Sequence, residues 1–353
     1  MGDSGAARRR RGVTLEAVAE RAGVSIKTAS NAVNGTGRMS PETRARVLAV
    51  VDALGYKVNV AARNLMRGRT GAVTLAVPRL KHAYLAHLAD AVIEEAHARA
   101  LELYVTIYPE LAEGGAASFL RQFNPRLSDG LLLSLPEDEA LTAEALDVDF
   151  PLVCLGSRPT YGRADRVTTH DVTDARTAAE FLYARGVTSL AVVGAYVPYD
   201  RTAIAAASEG NAAQRLRGVL EAAVAAGRPL DPHLVGVSGF DWTIGGGFRT
   251  TRALLATGIP FDGLVCLNDG LAIGAISALR ESGRRVPEDV QVIGFDNIEE
   301  SAFLVPPLTT MDSRIDWIAP TALDRLIARI DQSAEPPAEL LAQSSVIERG
   351  TTR

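Results

Sequence analysis

Residues 13–68 read VTLEAVAERAGVSIKTASNAVNGTGRMSPETRARVLAVVDALGYKVNVAARNLMRG. This stretch predicts short helices, with a glycine turn between the first two. Gly23 follows the helical run Leu15 to Ala22 and can adopt the left-handed conformation that ends a helix at low cost. Ser25 then stands at the N-cap position of the next run, Ile26 to Asn34. The pattern indicates a helix-turn-helix unit, although by itself it also fits a helical bundle without a ligand.

A third helix is predicted to begin at the segment Ser40-Pro41-Glu42. The serine hydroxyl can cap the helix, proline suits the first helical position, and the carboxylate lies near the positive end of the helix dipole. Its apolar residues are expected to close a small core over the first two helices. The predicted core residues are Leu15, Val18, Val24, Val33, Val47, Leu48, Val51 and Leu54.

Charge is distributed unevenly along the chain of 353 residues, whose net charge is −5. Residues 1–70 hold thirteen Lys plus Arg against five Asp plus Glu, and the remaining residues hold 24 against 37. A small basic domain on an acidic protein is typical of phosphate binding, and the acidic body disfavours indiscriminate adhesion to nucleic acid. The run Arg8 to Arg11 is expected to be a solvated tail that adds salt-dependent affinity. Charge therefore favours a DNA-binding domain over a bundle without a ligand.

The rest of the chain alternates strand-like apolar runs with helix-length segments, which indicates parallel sheets built from right-handed crossovers. Roughly 280 residues favour two such α/β units over one. The strand-like runs are 72–77, 103–108, 130–135, 152–155, 190–193, 234–237, 264–267 and 290–295, and the helical segments include 87–100, 175–185, 212–226 and 273–282.

The basic segment resembles the headpiece of the lactose repressor (LacI/GalR) family of bacterial transcription regulators. The match runs without a gap from VTLEAVAERAGVS through SPETRARVL to LGYKVNVAARNL, and it continues in GVTSLAVVG, QRLRG, GLVCLNDGLAIGAISAL, VPEDVQVIGFDN and PPLTTM. The resemblance therefore covers nearly the whole chain. It implies an all-α helix-turn-helix headpiece plus an α/β effector domain, built as two doubly wound parallel-sheet lobes of periplasmic-binding-protein type.

The resemblance also implies the domain boundaries. The headpiece is expected at 1–58, with 1–12 as a disordered basic tail, and the hinge helix and linker at 59–69. The first lobe is expected to comprise 70–185 with 313–341, and the second lobe 186–312 with 342–353. The chain would thus cross between the lobes near Arg185, Asp312 and Leu341, with the effector bound between them.

In this family the recognition helix lies in the major groove, and its base-reading positions fall here on Ile26, Lys27 and Asn31. Lys27 can donate to guanine and Asn31 can pair with adenine, whereas Ile26 offers apolar contact, for example to a thymine methyl. Many relatives have Arg at the position of Asn31, so the half-site is expected to depart from the commonest one. The residues that match phosphate-holding positions are Thr14, Ser25, Thr28, Ser30, Asn34, Ser40, Thr43 and Tyr56.

The stretch Asn59 to Met66 resembles the hinge helix of the family, which orders when two copies meet in the minor groove. Leu65 matches the leucine that wedges between base pairs and kinks DNA, and Asn59 and Ala62 lie on the same predicted helix. The alternative is a linker helix that docks on the body. Relatives often have proline where this chain has Val58, so the helix start is expected to be less sharply defined.

Polar residues follow two of the predicted strands. Asn268 follows the strand GLVCL and Asp296 follows the strand QVIGF, and open α/β sheets bind ligands at the carboxyl ends of their strands. A capping or turn role is the alternative for each. Arg215 in QRLRG matches the effector-binding arginine of the family, while Arg217 is its neighbour. Together, Arg215 and Asp296 are expected to form a fork for hydroxyl or carboxylate groups of the ligand.

Trp242 in GFDWTIGG matches a position that often carries an aromatic residue stacked on the ligand. Its polar and glycine neighbours favour stacking on a sugar ring or a base over a place in the core. Tyr84, in the loop after the first strand, is also expected to face the cleft. His170 and Asp171 stand where many relatives have Asp-Asn, and the sequence assigns them no role.

Enzymatic motifs are absent from the sequence, which has no GxxxxGKS, GxSxG, HExxH or CxxC pattern. Neither a metal site nor a cofactor is expected. Cys154 and Cys266 lie in apolar strands, as buried thiols in a reducing cytoplasm would. The sequence shows no secretion signal and no membrane span, which also favours the cytoplasm.

These observations predict a repressor that binds a pseudo-palindromic operator in double-stranded DNA as a homodimer. A small-molecule effector, favoured as a sugar, would control it from the cleft, as an inducer or a corepressor. The absence of a leucine heptad tail after the last strand favours a dimer over a tetramer. The alternatives are a regulator that responds to a purine or nucleoside, and a sugar-processing enzyme with an appended DNA-binding domain.

Overall fold

The computed structural model describes residues 13–33, 35–56 and 69–353. The chain divides into two compact units, Met1–Thr70 and Gly71–Arg353. Several predicted features lie outside the described residues: they are the basic tail 1–12, Asn34 among the phosphate contacts, and the hinge with Val58, Asn59, Ala62 and Leu65.

Three helices form the described part of the first unit: α1 (Leu15–Ala22), α2 (Ile26–Val33) and α3 (Pro41–Leu54). Helix α1 begins after Thr14, whose hydroxyl accepts the Ala17 N–H at 3.3 Å, and ends at Gly23, which has φ +64°. Helix α3 begins after Ser40 with proline at its first position. These caps confirm the predicted helix-turn-helix, because each stop and start signal lies where the helix ends or begins.

The core of the headpiece is small and rich in alanine. Its buried residues are Val18, Ala19, Ala22, Ala29, Ala32 and Val47, and Leu15, Val24, Val33, Val51 and Leu54 pack against them. The prediction was wrong for Leu48, which is 41% exposed. Successive residues of a helix are about 100° apart, so the neighbour of the fully buried Val47 points away from the seam.

The second unit contains two six-stranded sheets with the same order in their inner strands. The first sheet has the order β11-β5-β4-β3-β1-β2 and the second β12-β10-β9-β8-β6-β7. The paired strands are parallel, except that β12 is antiparallel to β10. The strands are β1 (Ala72–Val77), β2 (Glu102–Ile107), β3 (Leu131–Ser134), β4 (Leu152–Leu155), β5 (Asp165–Thr169), β6 (Leu190–Ala195), β7 (Val235–Val237), β8 (Gly263–Cys266), β9 (Gln291–Asp296), β10 (Thr309–Asp312), β11 (Glu339–Ala342) and β12 (Ser345–Ile347).

Nine helices connect and cover these sheets within the described residues. They are α4 (Ala83–Ala98), α5 (Gly115–Gln122), α6 (Asp171–Ala184), α7 (Arg201–Ala205), α8 (Asn211–Ala225), α9 (Ile244–Ala256), α10 (Asp269–Glu281), α11 (Glu299–Ala302) and α12 (Ile315–Ile330). The two parallel-sheet lobes confirm the predicted fold class. Strands β5, β10, β11 and β12 were not predicted, since β5, β10 and β12 carry polar residues and β11 is a short, half-exposed edge strand.

The first crossover lies earlier than predicted. Helix α6 was assigned to the first lobe, but its residues Ala175, Ala178 and Leu182 belong to the core of the second lobe. The predicted boundary near Arg185 is therefore wrong by one helix, because periodicity predicts a helix without showing which sheet it covers. The chain returns to the first lobe after Asp312, where α12 packs on the first sheet, and leaves it again after Ala342.

Both cysteines, Cys154 and Cys266, are fully buried in strands and unpaired. Burial raises the pKa of the Cys154 thiol to about 12, which keeps it protonated. Across the described ranges, no helix has the length and apolar character that crossing a membrane requires.

Candidate DNA-binding surface and ligand cleft

The recognition helix α2 divides its side chains between the core and solvent. Ala29 and Ala32 are buried, whereas Ile26 is 51% exposed and Lys27 is also exposed. The spacing of the two alanines turns one face of the helix toward α1 and α3. Two of the three predicted base-reading residues are therefore free of the headpiece core.

Asn31, the third predicted base reader, is half-buried against the turn that follows α2. A Cβ atom at Gly37 would lie 2.5 Å from the Nδ2 atom of Asn31, and Gly37 has φ +73°. The Thr36 N–H donates to the Asn31 carbonyl at 2.9 Å. Glycine at position 37 is thus required both by the backbone conformation and by the space that the Asn31 amide occupies.

Most of the predicted phosphate contacts are residues at the starts of helices. The Ser25 hydroxyl accepts the Thr28 N–H at 3.1 Å, and the Ser40 hydroxyl accepts the Thr43 N–H at 3.2 Å. Thr14 caps α1 in the same way. These hydroxyls lie where exposed N–H groups and the helix dipole favour a phosphate. The other two described residues of the set are Ser30, which is half-buried, and Tyr56, which packs against the core.

One cleft in the second unit contains all five predicted effector residues, namely Tyr84, Arg215, Trp242, Asn268 and Asp296. Its volume is about 1040 Å³ including the part open to solvent. Its walls come from the carboxyl ends of strands in both sheets, for example Thr169 at the end of β5 and Asp296 at the end of β9. A concave site at the carboxyl ends of the strands of two sheets suits a small molecule.

Arg215 of helix α8 is the centre of the polar network in the cleft and is 6% exposed. Its Nε atom donates to Asp171 Oδ1 at 2.7 Å, and its Nη1 atom donates to the Leu267 carbonyl at 2.6 Å. Nη1 also lies 3.7 Å from Asp296 Oδ1. Although burial alone would lower the pKa of Arg215, the Asp171 and Asp296 carboxylates raise it. The guanidinium is therefore held as a cation by Asp171, with the Asp296 carboxyl group close beside it.

Asp296 ends strand β9 in an unusual backbone conformation, with φ +111°. The Ser313 hydroxyl donates to its Oδ1 atom at 3.2 Å. Burial raises the pKa of Asp296 to about 8, against the opposing effect of Arg215. Strained backbone of this kind clusters at ligand sites, because the surrounding structure holds one side chain in place.

Trp242 packs against apolar residues in space, although the residues next to it in the sequence are polar or glycine. It is 6% exposed, its ring centroid lies 5.3 Å from that of Tyr196, and its indole N–H donates to the Gly194 carbonyl at 3.0 Å. The expectation that it lacks an apolar neighbourhood was wrong, since those neighbours come from the loop after β6. Phe240, at 46% exposure, offers more ring surface to a ligand than Trp242.

Asn268 lines the cleft, but its side chain is engaged by the protein. Its Oδ1 atom accepts the Leu271 N–H at 2.7 Å as the N-cap of α10, and its Nδ2 atom donates to the Trp242 carbonyl at 3.1 Å. The capping alternative therefore describes its contacts. Asn268 fixes the loop that carries Trp242 against the start of α10.

Sequence reasoning missed Glu137, a residue of the cleft three positions beyond the end of β3. Its Oε2 atom accepts the N–H of Asn211, the first residue of α8, at 3.1 Å, so the contact joins the two lobes. Burial raises the pKa of Glu137 to about 7, while Arg158 opposes that rise. The strand-end signal that indicated Asp296 also applied to Glu137.

Asp171 is the partner of Arg215, a role that the sequence left open. It is the first residue of α6 and is 2% exposed. His170 occupies the N-cap position of the same helix, is exposed, and makes no capping hydrogen bond through its side chain. In the cleft, desolvation raises the pKa of Tyr84, so its phenol remains a hydrogen-bond donor. The described residues include no cluster of His, Cys, Asp and Glu that could hold a metal ion.

Two known families match separate segments of the chain, one in each compact unit. Residues 14–59 match the family described as bacterial regulatory proteins, lacI family. Residues 179–352 match the periplasmic binding protein-like domain. The first match covers the three helices of the headpiece, and the second covers Arg215, Trp242 and Asp296.

One related sequence and two solved structures illustrate the similarity along the chain. The HTH-type transcriptional regulator CelR of Thermobifida fusca is 31% identical over 351 residues, which cover 97% of this chain and 98% of CelR. The crystal structure of the lac repressor dimer bound to operator and the anti-inducer ONPF has a TM-score of 0.81 at 26% identity, covering 97% of this chain and 99% of that one. A CelR–cellobiose complex has a TM-score of 0.68 at 26% identity, covering 96% and 99%.

Proposed function

Because the chain belongs to the lacI family of bacterial regulatory proteins and is a transcription regulator, we propose that it is a cytoplasmic repressor that binds its operator as a homodimer under the control of a small molecule. The observation that carries the proposal is the convergence of Tyr84, Arg215, Trp242 and Asp296 on one cleft. Relatives over the full length are regulators, so an enzyme with an appended DNA-binding domain is no longer an alternative.

On the DNA side, Ile26, Lys27 and Asn31 would read base edges from α2, and the capping hydroxyls would fix register on phosphates. A single headpiece reads few base pairs, so two headpieces on a symmetric dimer would read a pseudo-palindrome. The lac repressor binds its operator as a dimer in the related crystal structure, which supports this arrangement. We assign the minor-groove wedge to Leu65, with Asn59 and Ala62 on the same hinge.

On the ligand side, a sugar fits the cleft best. Arg215, Asp296 and Glu137 supply donors and acceptors for hydroxyl groups, and Phe240 with Tyr196 supplies aromatic surface. The related CelR is solved with cellobiose. A purine or nucleoside is the second candidate, because the rings of Phe240, Tyr196 and Trp242 can also stack on a base.

Ligand binding would alter lobe closure and thereby the spacing or order of the paired hinges. Linkage is reciprocal, so a ligand that binds more tightly to the DNA-free chain releases the operator, and one that prefers the bound chain does the reverse. Both signs are compatible with the cleft.

The test selects DNA fragments from a random pool with the full chain and then screens neutral sugars and nucleosides by thermal shift. We expect a two-fold symmetric consensus and at least one compound that both raises Tm and changes the affinity for that DNA. Scrambled DNA of equal length is the control. Selection of asymmetric sites, or a stabilising compound without effect on DNA affinity, would contradict the proposal.

A further inference from the structure

We propose that Asp171 is a specificity-determining residue of the cleft, which occupies the Arg215 cation and so excludes effectors that carry a carboxylate or a phosphate. The inference deepens the proposed function and rests on it, since it requires that the cleft bind the effector. The sequence predicted that Arg215 and Asp296 together bind either hydroxyl or carboxylate groups of the ligand. The inference restricts that choice to hydroxyl groups. The effector is then an uncharged compound rich in hydroxyl groups.

The Asp171 carboxylate is fixed by three donors. Its Oδ1 atom accepts the Arg215 Nε–H at 2.7 Å and the Thr169 hydroxyl at 3.4 Å, and its Oδ2 atom accepts the Ser157 hydroxyl. Its place at the first position of the 14-residue helix α6 adds the favourable helix dipole. Because Asp171 is almost fully buried, it cannot turn away to release Arg215 to a ligand.

Arg215 is equally restricted. Two of its three nitrogens, Nε and Nη1, already donate to protein acceptors. Its guanidinium carbon lies 3.8 Å from the centroid of the Phe295 ring, which fixes the plane of the group. A bidentate contact to a carboxylate or phosphate requires two parallel N–H donors on one edge of the guanidinium. The two such edges of the guanidinium pair Nε with Nη2 and Nη1 with Nη2, so each of them includes a nitrogen that already donates to the protein.

Burial in the cleft also disfavours an anion. It raises the pKa of Glu137 to about 7 and that of Asp296 to about 8, so the cleft penalises negative charge on its own carboxyl groups. A ligand carboxylate would meet the same penalty, with the Arg215 cation already paired with Asp171. Hydroxyl groups meet no such penalty, because they can donate to the acidic oxygens and accept from Arg215.

The test compares compounds that differ only in charge: glucose with glucuronate, galactose with galacturonate, and ribose with ribose 5-phosphate, together with sodium sulfate as an inorganic probe. Binding to the full chain is measured by thermal shift and calorimetry at constant ionic strength. We expect the wild-type chain to bind no anionic compound more tightly than its neutral twin, and sulfate serves only to compare the variants with the wild type, because the basic headpiece can also bind it.

Asp171→Asn keeps the shape of the side chain but removes its charge. We expect this variant to gain saturable stabilisation by sulfate and to shift its preference toward anionic compounds by about tenfold or more, since one opposite charge at this distance changes charge preference by that order. Asp174→Asn is the matched control, because Asp174 lies one turn further along α6, accepts the Ser344 hydroxyl at 2.8 Å, and is not among the hydrogen-bond or ion-pair partners of Arg215. Its response to sulfate should equal that of the wild type.

Two results would overturn the inference: tighter binding of an anionic twin by the wild type, or no gain in anion binding by Asp171→Asn relative to Asp174→Asn. If Asp171→Asn fails to fold, the comparison of neutral and anionic compounds with the wild type alone tests the inference. If the chain excludes anions but no ligand changes its affinity for DNA, the proposed function is contradicted, whereas the inferred selectivity of the cleft is not.

Discussion

The recognition helix and the ligand cleft place their polar side chains in opposite environments. Ile26 and Lys27 of the recognition helix are exposed, whereas Arg215, Asp171 and Asp296 of the cleft are nearly inaccessible to solvent. An exposed side chain contributes to binding without supporting the fold. A buried one does both, because each charge of the cleft compensates another.

The two regions also differ in how far apart the interacting residues lie along the chain. Ser25 and Thr28 are three residues apart, and so are Ser40 and Thr43. Arg215 and Asp171 are 44 residues apart, and Glu137 and Asn211 are 74 apart. Substitutions in the headpiece should therefore act locally, and substitutions in the cleft should spread to the stability of the second unit.

Removal of the central cation should give the largest effect. Arg215→Ala leaves the buried Asp171 carboxylate without its partner and should lower the free energy of unfolding of the second unit by about 3–5 kcal/mol. Urea denaturation of the full chain, followed by Trp fluorescence, measures this change. Arg217→Ala is the control on the same helix, since Arg217 pairs with Glu221 at the surface and should cost less than about 1 kcal/mol. Equal losses in both variants would contradict the contrast between buried and exposed charge.

Truncation of the base readers should change DNA selectivity without a comparable loss of stability. Lys27→Ala and Asn31→Ala should each remove about 1–3 kcal/mol of discrimination at one base pair of the selected site, and Lys27→Ala should alter unfolding by less than roughly 0.5 kcal/mol. Affinities for single-base variants of the site, measured at two salt concentrations, check this. Arg46→Ala is the control: it also removes one positive charge, but from α3, and should weaken binding to all DNA sequences alike. Unchanged selectivity in Lys27→Ala and Asn31→Ala would refute their assignment.

The smallest of these effects should be the pH dependence of stability that arises from Glu137 in the cleft. Because the folded chain raises the pKa of Glu137 from 4.5 to about 7, the folded state holds this proton more tightly than the unfolded state. Its contribution to stability is complete below about pH 4.5 and is lost as the pH rises through about 7. The stability of the wild type relative to Glu137→Gln should thus fall with pH by on the order of 1 kcal/mol. A difference that stays constant or rises would show that this proton is not bound in the folded state.

The headpiece was predictable almost to the residue, and the exception has a clear cause. Gly23, Ser40 and Pro41 act on backbone within one helical turn, so their effects can be read directly from the sequence. Leu48 was misplaced because apolar character alone does not say which face of a helix meets the core. The strands of the body were predicted where they are apolar runs, and β5 and β10 were missed because threonine and aspartate interrupt that pattern.

The sequence predicted which residues line the cleft better than it predicted what each of them does there. Tyr84, Arg215, Trp242, Asn268 and Asp296 all line it, yet Asn268 is engaged as a helix cap and Trp242 is packed in the core. Glu137, Tyr196 and Phe240 were missed, although each follows the end of a strand. Strand ends show where side chains converge, but not which of them are already paired.

The sequence by itself determined the helix caps, the basic headpiece, the alternation of strands and helices, and the family to which these patterns belong. These features depend on interactions between near neighbours or on summed composition. Only the tertiary structure decided that α6 belongs to the second lobe and that Arg215 is held by Asp171. Such contacts depend on how helices from distant parts of the chain pack on the two sheets. That packing brings together two charged side chains 44 residues apart, and their pairing in a buried site determines what the cleft can bind.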